Sequence, residues 1–319
     1  MSLAHGNGAR FMRELIEDIF VHHLSNPSLD IQSDAVRLPF AATETDLMFT
    51  TDGFTVQPLE FPGGNIGSLA VHGTVNDLAV AGATPLYLSL NVIIEEGLEI
   101  AVLNRVIGSL AEAANATGVQ VAAGDTKVVG RGEGGGLYLA TTGVGRRPKS
   151  LHLGLDRIKT GDSIVVSGTV GDHGIAVLLA REQFGLRGQV KSDCASVLPL
   201  TQSVLGLTGL RFMRDPTRGG LATVLNEIHR ATGLGVRVQS AAIPVRDPVQ
   251  AVCEMLGYDP LYLACEGRVV AVLAEDQAEH ALNAWRSLAH GREAAIVGRI
   301  TADQHASISV KPTTSMSSR

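Results

Sequence analysis

The chain has 319 residues, 45% apolar and 18% charged, enough apolar material for two packed domains of a globular protein. A formal net charge of −6 with no basic block excludes a nucleic-acid binder, and three cysteines (Cys194, Cys253, Cys265) without paired spacing exclude a disulfide framework and a zinc site. Apolar runs such as Val269–Ala274 are far too short to cross a bilayer and no signal-peptide core opens the chain, so a reducing, cytoplasmic location with no membrane partner is expected.

In chain order, Phe11, Leu15 and Ile19 form one stripe with Met12, Ile16 and Phe20 beside it. This predicts an amphipathic helix over Phe11–Leu24, entered from the flexible segment His5-Gly6-Asn7-Gly8. Leu47–Thr51 reads as a strand ending at Asp52. Pro62-Gly63-Gly64 breaks the chain before a small-residue helix over Gly67–Ala81, and Leu86–Ile94 reads as a long strand. Ile100, Leu103, Val106, Ile107 and Leu110 set a second helix over Glu99–Thr117, which Gly118 stops. Val119–Ala123 is then a buried strand delivering Gly124-Asp125, and Leu137–Val144 is another, with a glycine-rich loop or hairpin over Gly130–Gly136 between them. Arg146-Arg147-Pro148-Lys149-Ser150 is the linker candidate, dividing the chain into residues 1–150 and 151–319. Beyond it, strands are expected at Ser163–Ser167, Gly235–Val238, Arg268–Leu273 and Ala294–Val297. Helices are expected at His173–Phe184, Gly219–Ala231, Pro248–Leu256 and Asp276–Leu288. Each half is therefore α/β, a mixed sheet flanked by helices, and the halves share one layout. The tail Thr313–Arg319 is polar and expected to fray.

Four segments set an acidic residue among small neighbours: Thr51-Asp52-Gly53, Asn76-Asp77, Gly124-Asp125-Thr126-Lys127 and Asp215-Pro216-Thr217-Arg218-Gly219-Gly220. Such a composition suits loops that hold Mg²⁺ against phosphate, because carboxylate is a hard oxygen ligand and glycine lets backbone N–H groups approach an anion. If Asp34, Asp52, Asp77, Asp125 and Asp215 converge, two carboxylates about 4 Å apart repel by roughly 4 kcal/mol at an effective dielectric of about 20. A cluster of that kind needs a cation or must take up protons, and Mg²⁺ bridging to a triphosphate resolves the conflict. Separate Asp turn and helix caps are the other reading of the same residues. Lys127 reads either as a point charge on phosphate or as a solvated loop lysine, and Arg218-Gly219-Gly220 either as an anion site at a helix start or as plain helix entry.

Taken together and in order, eight segments resemble one family. They are His5-Gly6-Asn7-Gly8, Phe61-Pro62-Gly63-Gly64-Asn65-Ile66-Gly67, Gly73-Thr74-Val75-Asn76-Asp77-Leu78-Ala79, Glu95-Glu96-Gly97, Gly124-Asp125-Thr126-Lys127-Val128-Val129, Gly171-Asp172-His173-Gly174, Ser192-Asp193-Cys194-Ala195 and Arg214-Asp215-Pro216-Thr217-Arg218-Gly219-Gly220. From His5 to Gly298 the chain resembles the hydrogenase expression/formation proteins of the HypE type, within the superfamily of aminoimidazole ribonucleotide (AIR) synthetase and selenophosphate synthetase. The resemblance implies a two-domain AIR synthase-like (PurM-like) fold, a homodimer formed through the N-terminal sheet, and ATP with Mg²⁺ in the interdomain cleft. It implies dehydration of a carbamoyl group on a cysteine sulfur to thiocyanate, the cyanide source for the iron of [NiFe]-hydrogenase. The partners implied are a HypF-like carbamoyltransferase and a HypC/HypD-like iron scaffold.

By matching motifs, Asp34, Asp52, Asp77, Asp125 and Asp215 would hold metal or phosphate. His5, Gly6, Gly8, Asn76, Gly124, Thr126, Lys127 and Arg218 would lie at the ATP, with Lys127 also catalytic. Glu266-Gly267 matches the family's Asn-Glu-Gly element, which makes Glu266 the base for the amide proton, with Cys265 standing where the family has Asn. Cys265 is expected to be a small buried filler rather than a nucleophile. The family's acceptor is the cysteine of a terminal Pro-Arg-Ile-Cys, and no cysteine follows Cys265 here. A non-catalytic ATP-binding paralogue acting as scaffold or regulator is therefore the alternative expectation.

Overall fold

The computed structural model describes residues 32–38, 44–181, 190–303 and 306–309, together with Arg13, Glu14, Glu17 and Val21. Of the helix expected over Phe11–Leu24 only those four residues are described, all in helical backbone. His5, Gly6, Gly8 and the polar tail lie outside the described residues, as does the end of the helix expected to reach Phe184.

The first half contains β1 (Val36–Leu38), β2 (Thr45–Phe54), the small hairpin β3 (Glu60–Phe61) and β4 (Gly64–Asn65), α1 (Ile66–Val80), β5 (Thr84–Glu95), α2 (Ile100–Thr117), β6 (Gln120–Val129) and β7 (Leu137–Pro148). Its main sheet runs β1-β2-β7-β5-β6, antiparallel except for the parallel pair β5 and β6 that α2 connects. The second half contains β8 (Ser163–Val166), α3 (Asp172–Ala180), α4 (Leu198–Val204), β9 (Leu210–Arg214), α5 (Gly220–Thr232), β10 (Gly235–Gln239), α6 (Asp247–Leu256), β11 (Val270–Leu273), α7 (Glu275–Arg286), β12 (Ala295–Thr301) and β13 (Ala306–Ser309). Its sheet runs β13-β10-β12-β8-β11-β9, with β10 and β13 parallel. β8 and β11 are buried at every residue because α5 covers one face of the sheet while α4 and α7 cover the other.

Each strand and helix expected from Leu47 onward is present, with shifted ends, while β1, the β3–β4 hairpin, α4, β9 and β13 were not expected. Two placements differ from expectation. Arg146–Pro148 are the last residues of β7, paired with Leu47–Thr45 of β2, so the connection between halves begins only at Lys149. Of the four acidic segments, only Asp215–Gly219 is a loop: Asp52 lies in β2, Asn76-Asp77 in α1, and Gly124–Lys127 inside β6. β6 is not buried either; it is the sheet edge and is exposed at nearly every position.

Helix α1 organises the molecule. Asn65 caps it, its Oδ1 accepting the N–H groups of Gly67 (2.9 Å) and Ser68 (3.1 Å), while Ser68 Oγ accepts the Asn65 N–H (3.1 Å). Ile66, Leu69, Ala70, Val71, Val75, Leu78, Ala79 and Val80 are all buried, so apolar side chains cover most of the helix surface, and only Ser68, His72 and Asp77 stay half-exposed. It packs on β2 and β7, against Val106 and Leu110 of α2, and through Ala79 and Val80 into the core of the second half beside Val197, Leu200 and Leu273. Leu78 fills the space between Ala35, Met48 and Ala83, directly under the segment that carries Asp34. Leu78→Ala is expected to cost about 2–5 kcal/mol. Urea unfolding should show a lower midpoint at an unchanged slope; an unmoved midpoint is incompatible with Leu78 filling this core.

Candidate active site

Among the described residues, Asp34, Asp77 and Asp215 bring one carboxylate oxygen each within 4.8 Å of one another. Asp34 arrives just before β1, Asp77 from α1 and Asp215 from the end of β9, so the cluster sits on the seam between the halves. Burial pushes all three carboxyls up, Asp215 to about 6; Asp215 and Asp34 reinforce the shift at Asp77, and Asp215 does so at Asp34. Arg214 opposes it, with Nε 2.8 Å from Asp34 and Nη1 3.3 Å from Glu227. Thr50 Oγ1 lies 2.8 Å from Asp77 Oδ2 and equally close to the Asp34 carbonyl oxygen. Asp52 is also raised by burial and is paired at 3.7 Å with Arg218. Carboxylates held this close, with more negative charge than neighbouring arginines balance, fit a hard divalent cation such as Mg²⁺. A cleft of about 470 Å³ opens beside them, bordered by Asp34, Asp215, Arg218, Glu227 and Arg13.

Glu266 faces the same seam from the loop before β11. Burial pushes its carboxyl well above the ordinary range, and Asp215, Asp193 and Asp52 push it further while Arg218 opposes them. The side chain is therefore within electrostatic reach of the cluster, and its surroundings favour the protonated form. Its backbone is held by two distant side chains. The Glu266 N–H donates to Asp193 Oδ1 (3.2 Å), and Asn76 Nδ2 donates to the Glu266 carbonyl (3.2 Å). Asp193 is itself backed by Arg268 Nε at 3.5 Å, and Arg268 also contacts Asp172 at 3.3 Å. The next residue must be glycine, since a Cβ on Gly267 would stand 1.9 Å from the Asp193 carbonyl oxygen.

Asn76, expected at the nucleotide, is used otherwise: both Nδ2 hydrogens go to main-chain carbonyls, those of Ala195 (3.0 Å) and Glu266, and Oδ1 accepts the Val197 N–H (2.8 Å). No donor of that amide is left for a ligand. Sequence reasoning also missed Asp193, Arg268, Thr50 and Arg214. The first and last stood within quoted motifs, next to residues that drew the attention; Arg268 follows Glu266-Gly267 and reads as the start of a strand.

Asp125 does not join the cluster within one chain. Across the sheet, Asp52, Thr141, Leu90 and Gly124 form one row, and Gly53, Ala140, Asn91 and Asp125 the next. Adjacent rows point to opposite faces, so Asp125 and Lys127 lie on the outer face, roughly 14 Å of strand spacings from Asp52. There they pair with each other at 3.2 Å, and Lys127 together with the Thr126 N–H lowers the Asp125 carboxyl. Thr126 shares the inner-facing row register with Val92 and is also exposed. Gly124 packs tightly on β5, where a Cβ would meet the Leu90 carbonyl oxygen at 2.6 Å. Tyr87 and Ile93 of β5 are exposed on the outer face as well. Cys265 is fully buried, its Sγ accepting the Gly171 N–H at 3.3 Å, and burial pushes the thiol up, in keeping with a filler. No helix of the described residues is long and apolar enough to cross a membrane.

Comparison with known proteins places the fold in a family. Residues 32–147 match the N-terminal domain of AIR synthase related proteins, and residues 159–311 match the C-terminal domain. The chain is 46% identical over 306 residues to the carbamoyl dehydratase HypE of Azotobacter vinelandii, covering 96% of this chain and 89% of that protein. Its fold is similar to that of HypE in a crystallised HypE–HypF complex, with a TM-score of 0.88 and 40% identity over 93% of this chain and 96% of that one. It is also similar to the hydrogenase maturation protein HypE crystallised with ATP, with a TM-score of 0.80 and 41% identity over 97% and 94% of the two chains. With its paired α/β sheets of the AIR synthase type, this chain belongs to the HypE family of hydrogenase expression/formation proteins.

Proposed function

We propose that this chain is an ATP-dependent carbamoyl dehydratase that makes the cyanide precursor for [NiFe]-hydrogenase. The observation that carries this reading is the seam itself. Three carboxylates, Asp215 buried and Asp34 and Asp77 half-buried, bring one oxygen each within 4.8 Å of one another, and the Glu266 carboxyl, raised by burial and by Asp215, lies within their field, in a chain 46% identical to a HypE. The net reaction takes a carbamoyl group on a cysteine sulfur, supplied to the cleft from outside these 319 residues, and ATP to a thiocyanate, ADP and phosphate. Asp34, Asp77 and Asp215 would hold Mg²⁺, which when bound neutralises triphosphate charge. Arg218, which lines the cleft, would take part in holding the phosphates. As the carbamoyl oxygen bonds to the γ-phosphorus and ADP leaves, Glu266 takes one amide proton. The C–O bond then breaks, phosphate departs, and loss of the second nitrogen proton completes the nitrile.

Residues 1–150 form the nucleotide and dimer unit in this proposal and 151–319 the second domain, working in the cytoplasm. The open outer face and the β6 edge pair with a second copy, carrying Asp125, Thr126 and Lys127 toward the partner's triphosphate. A HypF-like carbamoyltransferase supplies the carbamoyl group and a HypC/HypD-like iron scaffold receives the cyanide.

Three outcomes are expected. Asp77→Asn should lower Mg²⁺-dependent ATP hydrolysis by at least about 100-fold while leaving the oligomeric state on size exclusion intact. Hydrolysis at the normal rate would remove Asp77 from the metal site. Glu266→Gln should slow loss of water from the carbamoylated thiol, followed by mass spectrometry, by about 10²–10⁴-fold with ATP binding retained. Normal dehydration by that variant would assign the base elsewhere.

Thirdly, stability should depend on pH in a way that metal removes. The folded state raises the cluster carboxyls above their ordinary value, so it binds more protons than the unfolded chain in the intervening range. In chelator, the cluster's contribution is fully present below about pH 4 and is lost as pH rises through the raised values, about 6 for Asp215. The melting temperature should therefore fall across that window in chelator and fall less in excess Mg²⁺. A chelator curve that rises across the same window would contradict the assignment.

A further inference from the structure

We propose that Asn76 is a positioning residue for the reaction: it fixes the Glu266 backbone from the helix that carries the metal ligand Asp77, coupling the base to the metal centre. The inference rests on Glu266 being the base.

Glu266 sits in a loop, outside any strand ladder or helix, so its main-chain groups have no regular partners. Both are nevertheless satisfied by side chains. Its N–H reaches Asp193 Oδ1, whose carboxylate is fully buried against Arg268, and its carbonyl receives Asn76 Nδ2 at 3.2 Å. Asn76 is 1% exposed and makes three hydrogen bonds, all to main chain of the second half: Ala195, Val197 and Glu266. Two of those anchor the segment that follows Asp193, so Asn76 also steadies the residue gripping the other side of Glu266. One side chain thereby sets both edges of the backbone from which the base projects.

Its own position is equally well determined. α1 is a capped helix buried at most of its residues, and Asn76 and Asp77 are consecutive on it. Asp77 turns to Thr50 and the carboxylate cluster, while Asn76 turns to the second half. A displacement of the base relative to the cluster therefore requires either breaking the Asn76 bonds or moving a helix locked in two cores. Alanine would leave the Val197 N–H and two carbonyls without their partner. Aspartate would keep the acceptor for Val197 but would set its second oxygen against two carbonyl oxygens. A misplaced reacting group costs turnover rather than nucleotide binding, and about 1 Å of misplacement is enough for roughly 100-fold.

The test is a double-mutant cycle on the 319-residue protein with an S-carbamoylated cysteine peptide and ATP as substrates, following both dehydration rate and the KM for ATP. Asn76→Ala should lower kcat by about 10²-fold with the ATP KM within about twofold of wild type. In a Glu266→Gln background the same substitution should add less than about threefold, because the group it positions is already gone. Equal losses in both backgrounds would overturn the inference alone, as would a raised ATP KM at normal kcat, which is the signature of a nucleotide contact. A Glu266→Gln variant with normal turnover would overturn the base assignment and this inference with it. If Asn76→Ala does not fold, Asn76→Asp, which keeps the volume and one of three hydrogen bonds, takes its place in the cycle with the same expectations.

Discussion

The constraint on which the rest of the structure depends is the burial of nearly all of α1. A helix packed against several elements at once cannot tilt to suit one neighbour without disturbing the others, because packed interiors transmit small displacements. Its inner surface closes the first sheet, its flank meets α2, and its C-terminal turn belongs to the core of the second half. The halves therefore have a common reference element in addition to the connection after Lys149. Everything acidic at the seam is located relative to that element: Asp77 on it, Asp52 on the strand beneath it, and Asp34 above Leu78.

Such an arrangement concentrates negative charge where water is scarce. Carboxylates in this setting either take protons or recruit cations, and both responses are visible in the way Asp34, Asp77 and Asp215 are raised and in the way Arg214 and Arg218 lean on the group. The two arginines do not balance the acids; Glu227 competes for Arg214. A site held short of positive charge favours ligands that bring it, as a divalent cation would.

Much of this was legible in the sequence, and the part that was not has specific physical reasons. The apolar stripes and glycine stops of α2, α5 and α6 place those helices to within a few residues because one face of each is solvated and the pattern has contrast. α1 was found only by its small-residue composition; a helix buried at most of its residues has no broad polar face to set its period. The strand β6 was expected to end before Gly124, since Gly-Asp-Thr reads locally as a turn. Pairing with β5 carries it on to Val129, tertiary context overriding local preference. The acidic residues were recognisable as a set, but their faces were not: a one-residue offset in register separates Asp125 from Asp52, and register is not written in a single strand. The clamp on Glu266 was illegible for a different reason, as hydrogen bonds from Asn76 and Asp193 go to main-chain atoms, which every residue possesses.

The Glu266 loop also bears on how the protein comes to be active. Its two backbone partners are distant along the chain, 190 residues away for Asn76 and 73 for Asp193. Closing loops of that length carries an entropic cost that must be met before the contacts repay it, so pairings of high sequence separation tend to form late. Either half could collapse early around its own sheet, yet neither alone would hold the Glu266 backbone in place. The geometry around Glu266 thus arises at the final docking of the two halves, and a partly folded chain would be without it while its separate cores were already formed.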